Sequence, residues 1–307
     1  EEITPLLKGT PKSTVRVGFI RGPRPEKGPA TSPEQEVTVV RDVIRPPTIF
    51  TRRVGAEGRF LQLRLTDFTE ETADEFDRIM STLGEDKPVA GIILDVRHNG
   101  GGVLGVAVHV IDRFLRKGQL IVRMEGRGAD ATKNYSASGR KDKFLDLPLV
   151  VLVDHWSASA SEIVAGALQD HRRAVLVGTR TYGKFLVQSV MEIPGKSAAV
   201  KLTTSRYYTP SGRSYQGPPR REVIETEHPA GAGLIPDVLI ELDKEQDTEI
   251  KRFWANEEGK PWGEVPRWPE LGDDWIDPQL ERALKLLQGE LVLQQIQRGS
   301  RGSRRNG

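Results

Sequence analysis

Leu149-Val150-Val151-Leu152-Val153-Asp154-His155-Trp156-Ser157-Ala158-Ser159-Ala160-Ser161-Glu162-Ile163-Val164-Ala165-Gly166-Ala167-Leu168-Gln169-Asp170 reads as a strand, a loop and a helix. The first five residues are apolar without alternation, the pattern of a strand covered on both faces. From Ser161 to Asp170 the apolar positions Ile163, Val164, Ala167 and Leu168 recur at helical spacing. Ser159 lies between the two, six residues past the strand and just before the helix. A helix N-terminus presents unpaired amides and the positive end of a dipole, and both favour a negative oxygen forming beside a serine.

The same rhythm extends outward. Ala90 to Val96 is a second unalternating apolar run, followed by Asn99-Gly100-Gly101-Gly102 and a helical stretch from Gly105 to Leu115. Ala174 to Val177 is a third buried strand. Strand, glycine turn, helix, strand, helix, strand predicts an α/β layer with parallel strands. Upstream, Thr14–Ile20, Glu36–Ile44 and Arg59–Leu65 have strand patterns, and Pro46-Pro47 interrupts them. Thr69 to Leu83 has helical spacing, with Ala73, Phe76, Ile79, Met80 and Leu83 on one face. From Val187 to Tyr208 the pattern alternates and becomes polar, which predicts an antiparallel extension. Residues 22–36 read as an exposed loop, and residues 244–275 as a charged tract carrying Trp254, Trp262, Trp268 and Trp275. Pro278 to Leu293 reads as a helix capped by Asp277, followed by an unstructured Gly/Ser/Arg tail with Arg298, Arg301, Arg304 and Arg305.

The chain has 307 residues, room for one large domain or two ordinary ones. A hydrophobic content of 37% and a charged content of 29% fit a soluble globular protein. A net charge of +2 names no nucleic-acid or membrane partner. The absence of cysteine excludes a catalytic thiol and disulfides, and fits an exported protein. No apolar run reaches the roughly 18 residues a membrane helix needs. No signal peptide is visible and the chain starts at Glu1, so it reads as a processed or trimmed form.

A serine hydroxyl is a poor nucleophile until a base takes its proton, and a lysine in a dry pocket can be that base. Lys184 follows Ser159 by 25 positions, within Thr181-Tyr182-Gly183-Lys184-Phe185-Leu186-Val187-Gln188. Burial among Tyr182, Phe185 and Val187 would lower its pKa towards working pH. The amide of Ala160 is placed to donate to an oxyanion, and Asn99 to Gly102 could supply further amides. Asp95 could orient the site, but reads first as a strand-end carboxylate paired with Arg97. His171 lies about 18 Å from Ser159 along the predicted helix, too far to be its base. His98 stands beside the glycine turn and could enter the site. Neither a His-Glu-x-x-His helix nor a Gly-x-Ser-x-Gly elbow occurs.

Five ordered segments carry a resemblance: Ile93–Gly102, Ser157–Asp170, Thr181–Gln188, Thr203–Gly212-Arg213 and Ile235-Pro236-Asp237. Together they resemble the carboxyl-terminal processing, or tail-specific, serine proteases, over about residues 36 to 243. The resemblance implies Ser159 as nucleophile, Lys184 as general base, Gln188 as the group orienting Lys184, and the amides of Gly102 and Ala160 as oxyanion hole. It implies an α/β fold with a crotonase-like (ClpP/crotonase type) core and a β-rich cap over 36–243. Residues 1–35 would be the remnant of a PDZ domain, from Lys8-Gly9-Thr10 and the Thr14–Ile20 strand, and 244–307 a charged C-terminal segment. It further implies no cofactor and no metal, protein substrates with flexible apolar C-termini, a possible homo-oligomer, and an extracytoplasmic location, periplasmic, lumenal or secreted. One departure is Phe185, where the family usually has glycine: a bulky ring there could narrow the site, help desolvate Lys184 or mark lost activity. Phe185 and the shortened PDZ segment motivate the alternative of a non-catalytic binding homologue on the same scaffold.

Overall fold

The computed structural model describes residues 3–20, 34–43, 47–83, 87–127, 132–139, 144–193, 195, 198–214, 232–258 and 277–303. The chain divides into two units, Glu1–Pro46 and Pro47–Gly307. The first holds α1 (Ile3–Leu7), β1 (Thr14–Ile20) and β2 (Glu34–Val40). The two strands form an antiparallel ribbon from Thr14↔Val40 to Ile20↔Glu34. The Arg41 guanidinium ties α1 to it by donating to the carbonyls of Leu6, Leu7 and Thr14. The strand read as opening the core at residue 36 therefore pairs with β1 and belongs to the first unit. Most of the loop read at 22–36 lies outside the described residues.

The second unit begins with β3 (Ile49–Val54), β4 (Phe60–Leu65), α2 (Glu70–Thr82), β5 (Gly91–Asp95) and α3 (Leu104–Asp112). It continues with β6 (Leu120–Gly126), β7 (Thr132–Ser136), β8 (Leu149–Val153), α4 (Ala160–Asp170) and β9 (Val175–Gly178). It ends with β10 (Leu186–Glu192), β11 (Ala199–Tyr208), β12 (Val238–Leu239), α5 (Lys244–Glu258) and α6 (Pro278–Ser303). One sheet has the order β12-β9-β8-β5-β4-β3 and is parallel except for β3 against β4.

Successive residues of a strand point to opposite faces, and here both faces are covered. Ile92, Leu94, Leu149, Val151 and Val153 join the core formed with α2, α3 and α4. Ile93, Val150 and Leu152 join a second core with Leu280, Ala283 and Leu287 of α6. This is the physical origin of the unalternating apolar runs at 90–96 and 149–153. α4 is buried from Ala160 to Leu168, which fits its apolar, small-residue sequence.

β10, β11, β6 and β7 form a separate antiparallel sheet in the order β10-β11-β6-β7. It contains the extension expected from the alternation at 187–208. The charged tract from 244 opens with α5, whose Ile250 and Trp254 are buried against Phe50. Trp262, Trp268 and Trp275 lie outside the described residues. Asp277 caps α6 by accepting from the amides of Gln279 and Leu280. α6 continues to Ser303, so the tail read as unstructured is helical through Arg298 and Arg301. No helix among the described residues is long and apolar enough to cross a membrane.

Candidate active site

Three loops leave the C-terminal ends of β5, β8 and β9, where parallel sheets commonly carry their sites. The β5 loop, Val96 to Val103, and the β8 loop, Asp154 to Ser159, are joined by serines on either side of Ser159. The Ser157 hydroxyl donates to the Val96 carbonyl at 2.8 Å, and the Ser161 hydroxyl donates to the Asn99 carbonyl at 2.8 Å. Ala158 N–H donates to the same Asn99 carbonyl at 3.1 Å. Asn99 is held in turn by donating to Leu65 O and accepting from Gly101 N–H. Of the three serines in the motif, two fasten loops and Ser159 lines a cavity.

Ser159 has φ 56° and ψ −113°, a conformation that costs a non-glycine residue of order 1–3 kcal/mol. It turns the chain sharply from strand to helix. Gly101 is pressed against it: a Cβ at Gly101, φ 98°, would lie 2.7 Å from the Ser159 Cβ and 2.6 Å from the Ala158 carbonyl. At Gly102 a Cβ would lie 2.3 Å from the Phe68 carbonyl. Only glycine admits both contacts.

The cavity has a volume of about 340 Å³, and its wall includes Gly102, Ser159, Ala160, Lys184 and Gln188. The structure thus gathers all five residues singled out in the sequence. Apolar contributions come from Leu104, Ile163, Leu186 and Val187. A larger cavity of about 640 Å³ contains His98, His155, Trp156 and Trp254, and Ser159 is not on its wall. His98 therefore faces away from the Ser159 cavity. His171 ends α4 and contacts Leu120 O and the Gln119 side chain. Among the described residues no group of three His, Asp or Glu side chains is arranged to hold a metal ion.

Two residues of the site were not read from the sequence as functional. Glu162 is fully buried, and its carboxylate accepts from Thr181 Oγ1 at 2.6 Å, Gly183 N at 2.7 Å, Lys184 N at 2.8 Å and Ser159 N at 2.9 Å. One carboxylate thus fixes the backbones of Ser159 and Lys184 relative to each other. Tyr207 does the same from the other side: its hydroxyl lies 2.5 Å from Lys184 O and 3.0 Å from Ser159 O. Both residues sit inside the quoted motifs, but only tertiary contact reveals this role.

Burial pushes the Glu162 carboxyl up to about 7 against the pull of its four donors. A carboxyl whose folded pKa is raised keeps its proton longer when folded. Its contribution to stability is full below about 4.5, its ordinary value, and is lost as pH rises through about 7. The stability difference between wild type and Glu162→Gln, followed by thermal melts, is expected to shift against wild type across that window and to level off above it. A difference independent of pH would refute the assignment.

Phe185 is fully buried and stacks on Tyr207, with ring centroids 4.7 Å apart and 25° between planes. It belongs to the core with α2, α3 and α4 rather than to the cavity wall. The departure from glycine therefore does not narrow the site; it packs the tyrosine that holds Ser159 and Lys184 together. Phe185→Gly is expected to lower unfolding free energy by about 3–5 kcal/mol through the void it leaves, read from the urea midpoint.

Asp95 and Arg97 pair as expected, within a larger buried network. Arg97 donates to Asp95 at 2.7 and 2.9 Å, to Asp277 at 2.9 and 3.1 Å and to Gln279 at 3.0 Å. Gln62 Nε2 donates to Asp95 at 2.8 Å, and Arg64 donates to the Arg97 carbonyl at 2.8 Å. Burial alone would push the Asp95 carboxyl up, but the charges of Arg97 and Arg64 outweigh it and hold it below the usual range. The network fixes Arg97, which stands two residues before the Asn99–Gly102 turn.

The family model described as Peptidase family S41 matches residues 59–227. The chain belongs to this family of peptidases. It is 37% identical over 276 residues to the carboxy-terminal-processing protease of Bartonella bacilliformis, covering 84% of this chain and 58% of that protein. It is 34% identical over 214 residues to the carboxyl-terminal-processing protease of a Picosynechococcus strain, covering 68% and 48%. The chain spans about half the length of the curated relatives it matches. The solved photosystem II D1 C-terminal processing protease matches with a TM-score of 0.52 and 28% identity, over 78% of this chain and 58% of that one.

Proposed function

We propose that this chain is the proteolytic part of a serine endopeptidase that processes proteins near their C-terminal tails. The observation that carries the reading is the meeting of Gly102, Ser159, Ala160, Lys184 and Gln188 on one cavity wall. Neutral Lys184 takes the proton of Ser159 Oγ as that oxygen attacks the scissile carbonyl. Gln188 orients the lysine. The amides of Gly102 and Ala160 bind the oxyanion; Ala160 stands at the first turn of α4, where N–H groups have no intrahelical partner. The lysine then gives its proton to the leaving amine, and water hydrolyses the acyl-enzyme.

In this reading the six-stranded sheet with its helices is the crotonase-like core, and the β6, β7, β10 and β11 sheet is the cap. The ribbon of the first unit is the remnant of a PDZ domain, and the segment from 244 is an addition to the core. Substrates are proteins with flexible apolar C-termini, met outside the cytoplasm, without metal or cofactor. Nucleic acid is not a partner, and a homo-oligomer is compatible with this reading. The non-catalytic alternative keeps the shortened PDZ segment as a motive but is weakened at Phe185, whose ring lies in the core.

The test is digestion of an unfolded protein with an apolar C-terminal tail, chelator present, by wild type, Ser159→Ala and Lys184→Ala side by side. Cleavage by wild type alone is the expected outcome. Equal behaviour of all three would overturn the proposal.

A further inference from the structure

β10 ends its sheet: β11 lies on one side and no strand of the described residues lies on the other. The phase of the β10–β11 ladder shows which of its backbone groups are left over. Ile193 N–H donates to Ala198 O at 2.9 Å, so these two form a hydrogen-bonded pair. The register runs Gln188↔Thr203, Ser189↔Leu202, Val190↔Lys201, Met191↔Val200 and Glu192↔Ala199. Bonded and non-bonded pairs alternate in an antiparallel ladder, so Met191 and Ser189 bond to β11 while Gln188, Val190 and Glu192 turn their N–H and C=O groups to the open edge. Before the irregularity between Val187 and Gln188, Tyr207 N–H donates to Phe185 O at 3.2 Å. Leu186, opposite Arg206, is therefore outward-facing as well.

Leu186, Gln188, Val190 and Glu192 thus turn a row of main-chain donors and acceptors to an edge that no other strand among the described residues covers. The row begins two residues after Lys184, and Leu186, Gln188 and Lys201 also line the cavity that holds Ser159. Folded proteins usually guard such an edge with lysine, proline or a very short strand. β10 is seven residues long, has neither lysine nor proline, and carries its one charge at its far end, Glu192.

An endopeptidase must hold its substrate extended to expose one carbonyl, and the extended main chain needs hydrogen-bond partners once it leaves water. We infer that the outer edge of β10 is the docking strand for substrate: an extended polypeptide adds to this sheet beside β10 and is led along it into the Ser159 cavity. This rests on the reading of Ser159 as nucleophile. Recognition through main-chain groups is indifferent to sequence, so selectivity falls to the apolar wall of Leu104, Ile163, Leu186 and Val187 next to the scissile bond.

The test uses the Ser159→Ala chain and a fluorescent ten-residue peptide, with a series of peptides each carrying one N-methylated amide, read by anisotropy. N-methylation at every second position is expected to weaken binding about tenfold, the scale of an unmet main-chain hydrogen bond, and to have little effect at positions between. Val190→Pro removes one outward N–H without taking a bond from β11, and is expected to weaken the parent peptide to a similar degree at an unchanged melting temperature. A flat methylation profile overturns the inference. So does a β10 edge engaged by a second copy of the chain, seen as self-association that peptide does not reverse. Hydrolysis by the Ser159-intact chain is scored separately. Alternating binding without Ser159-dependent hydrolysis would sink the catalytic reading and sustain the docking strand; hydrolysis with a flat profile would do the reverse.

Discussion

Ser159→Ala is expected to reduce cleavage of an unfolded, tailed substrate by at least about 10⁴-fold, with no loss of fold. On the proposed mechanism the variant removes the atom that forms the acyl-enzyme, while the loops stay fastened by Ser157, Ser161 and Asn99. Lys184→Ala is expected to lose activity on the same scale, because in the proposed dyad nucleophile and base act as a unit. The double variant should therefore be no worse than either single one. Rates falling additively would mean that the two residues act independently, and would break the dyad. Wild-type activity should rise with pH, since the neutral amine is the reactive form. Peptide binding by Ser159→Ala provides the control that the cavity has survived.

The largest expected loss of stability is at Asp277. Asp277→Ala removes one of the two carboxylates on a guanidinium that is 1% exposed, and takes the cap of α6 with it. Breaking a buried ion pair from one side typically costs about 3–5 kcal/mol, and loss of the cap adds about 1. For a unit of this size that is a fall in melting temperature of roughly 10 °C or more. Asp277→Asn keeps an acceptor for the α6 amides and should lose less. If Asp277→Ala melted like wild type, the buried pair with Arg97 and the cap of α6 would not hold this unit together as argued.

The central strands were legible because burial on both faces leaves an apolar run with no competing pattern. β3 was not, since Ile49-Phe50-Thr51-Arg52-Arg53-Val54 carries two arginines in a row. Arg52 is nonetheless buried, donating to Gln62, and Arg53 reaches the carbonyls of Lys87 and Pro88. Such partners come from distant segments and leave no local trace. α5 was hidden for a related reason: its buried stripe is essentially Ile250 and Trp254, too thin to stand out among fifteen mostly charged positions. Ser159, Ala160 and Lys184 stood out by their local chemistry, whereas the roles of Gly102 and Gln188 came from the family resemblance; the structure brings all five to one cavity wall. Glu162 and Tyr207 act by collecting main-chain groups from several loops, and no spacing rule encodes that. Phe185 looked anomalous only while its direction was unknown.

Arg97 and Asp277 stand 180 positions apart, and this gives the order of synthesis a part in assembly. A chain emerging from the ribosome presents Asp95, Arg97, Ser159 and Lys184 long before it presents Asp277. Until then the guanidinium beneath the glycine turn has one carboxylate instead of two, and the second face of the sheet lacks α6. Arg97, two residues before the turn that brings Gly101 against Ser159, thus gains its second carboxylate only after Asp277 has been made. A chain that ends before Asp277 carries Ser159 and Lys184 without the second carboxylate that holds Arg97, so on the proposed reading its site would lack that support until α6 is in place.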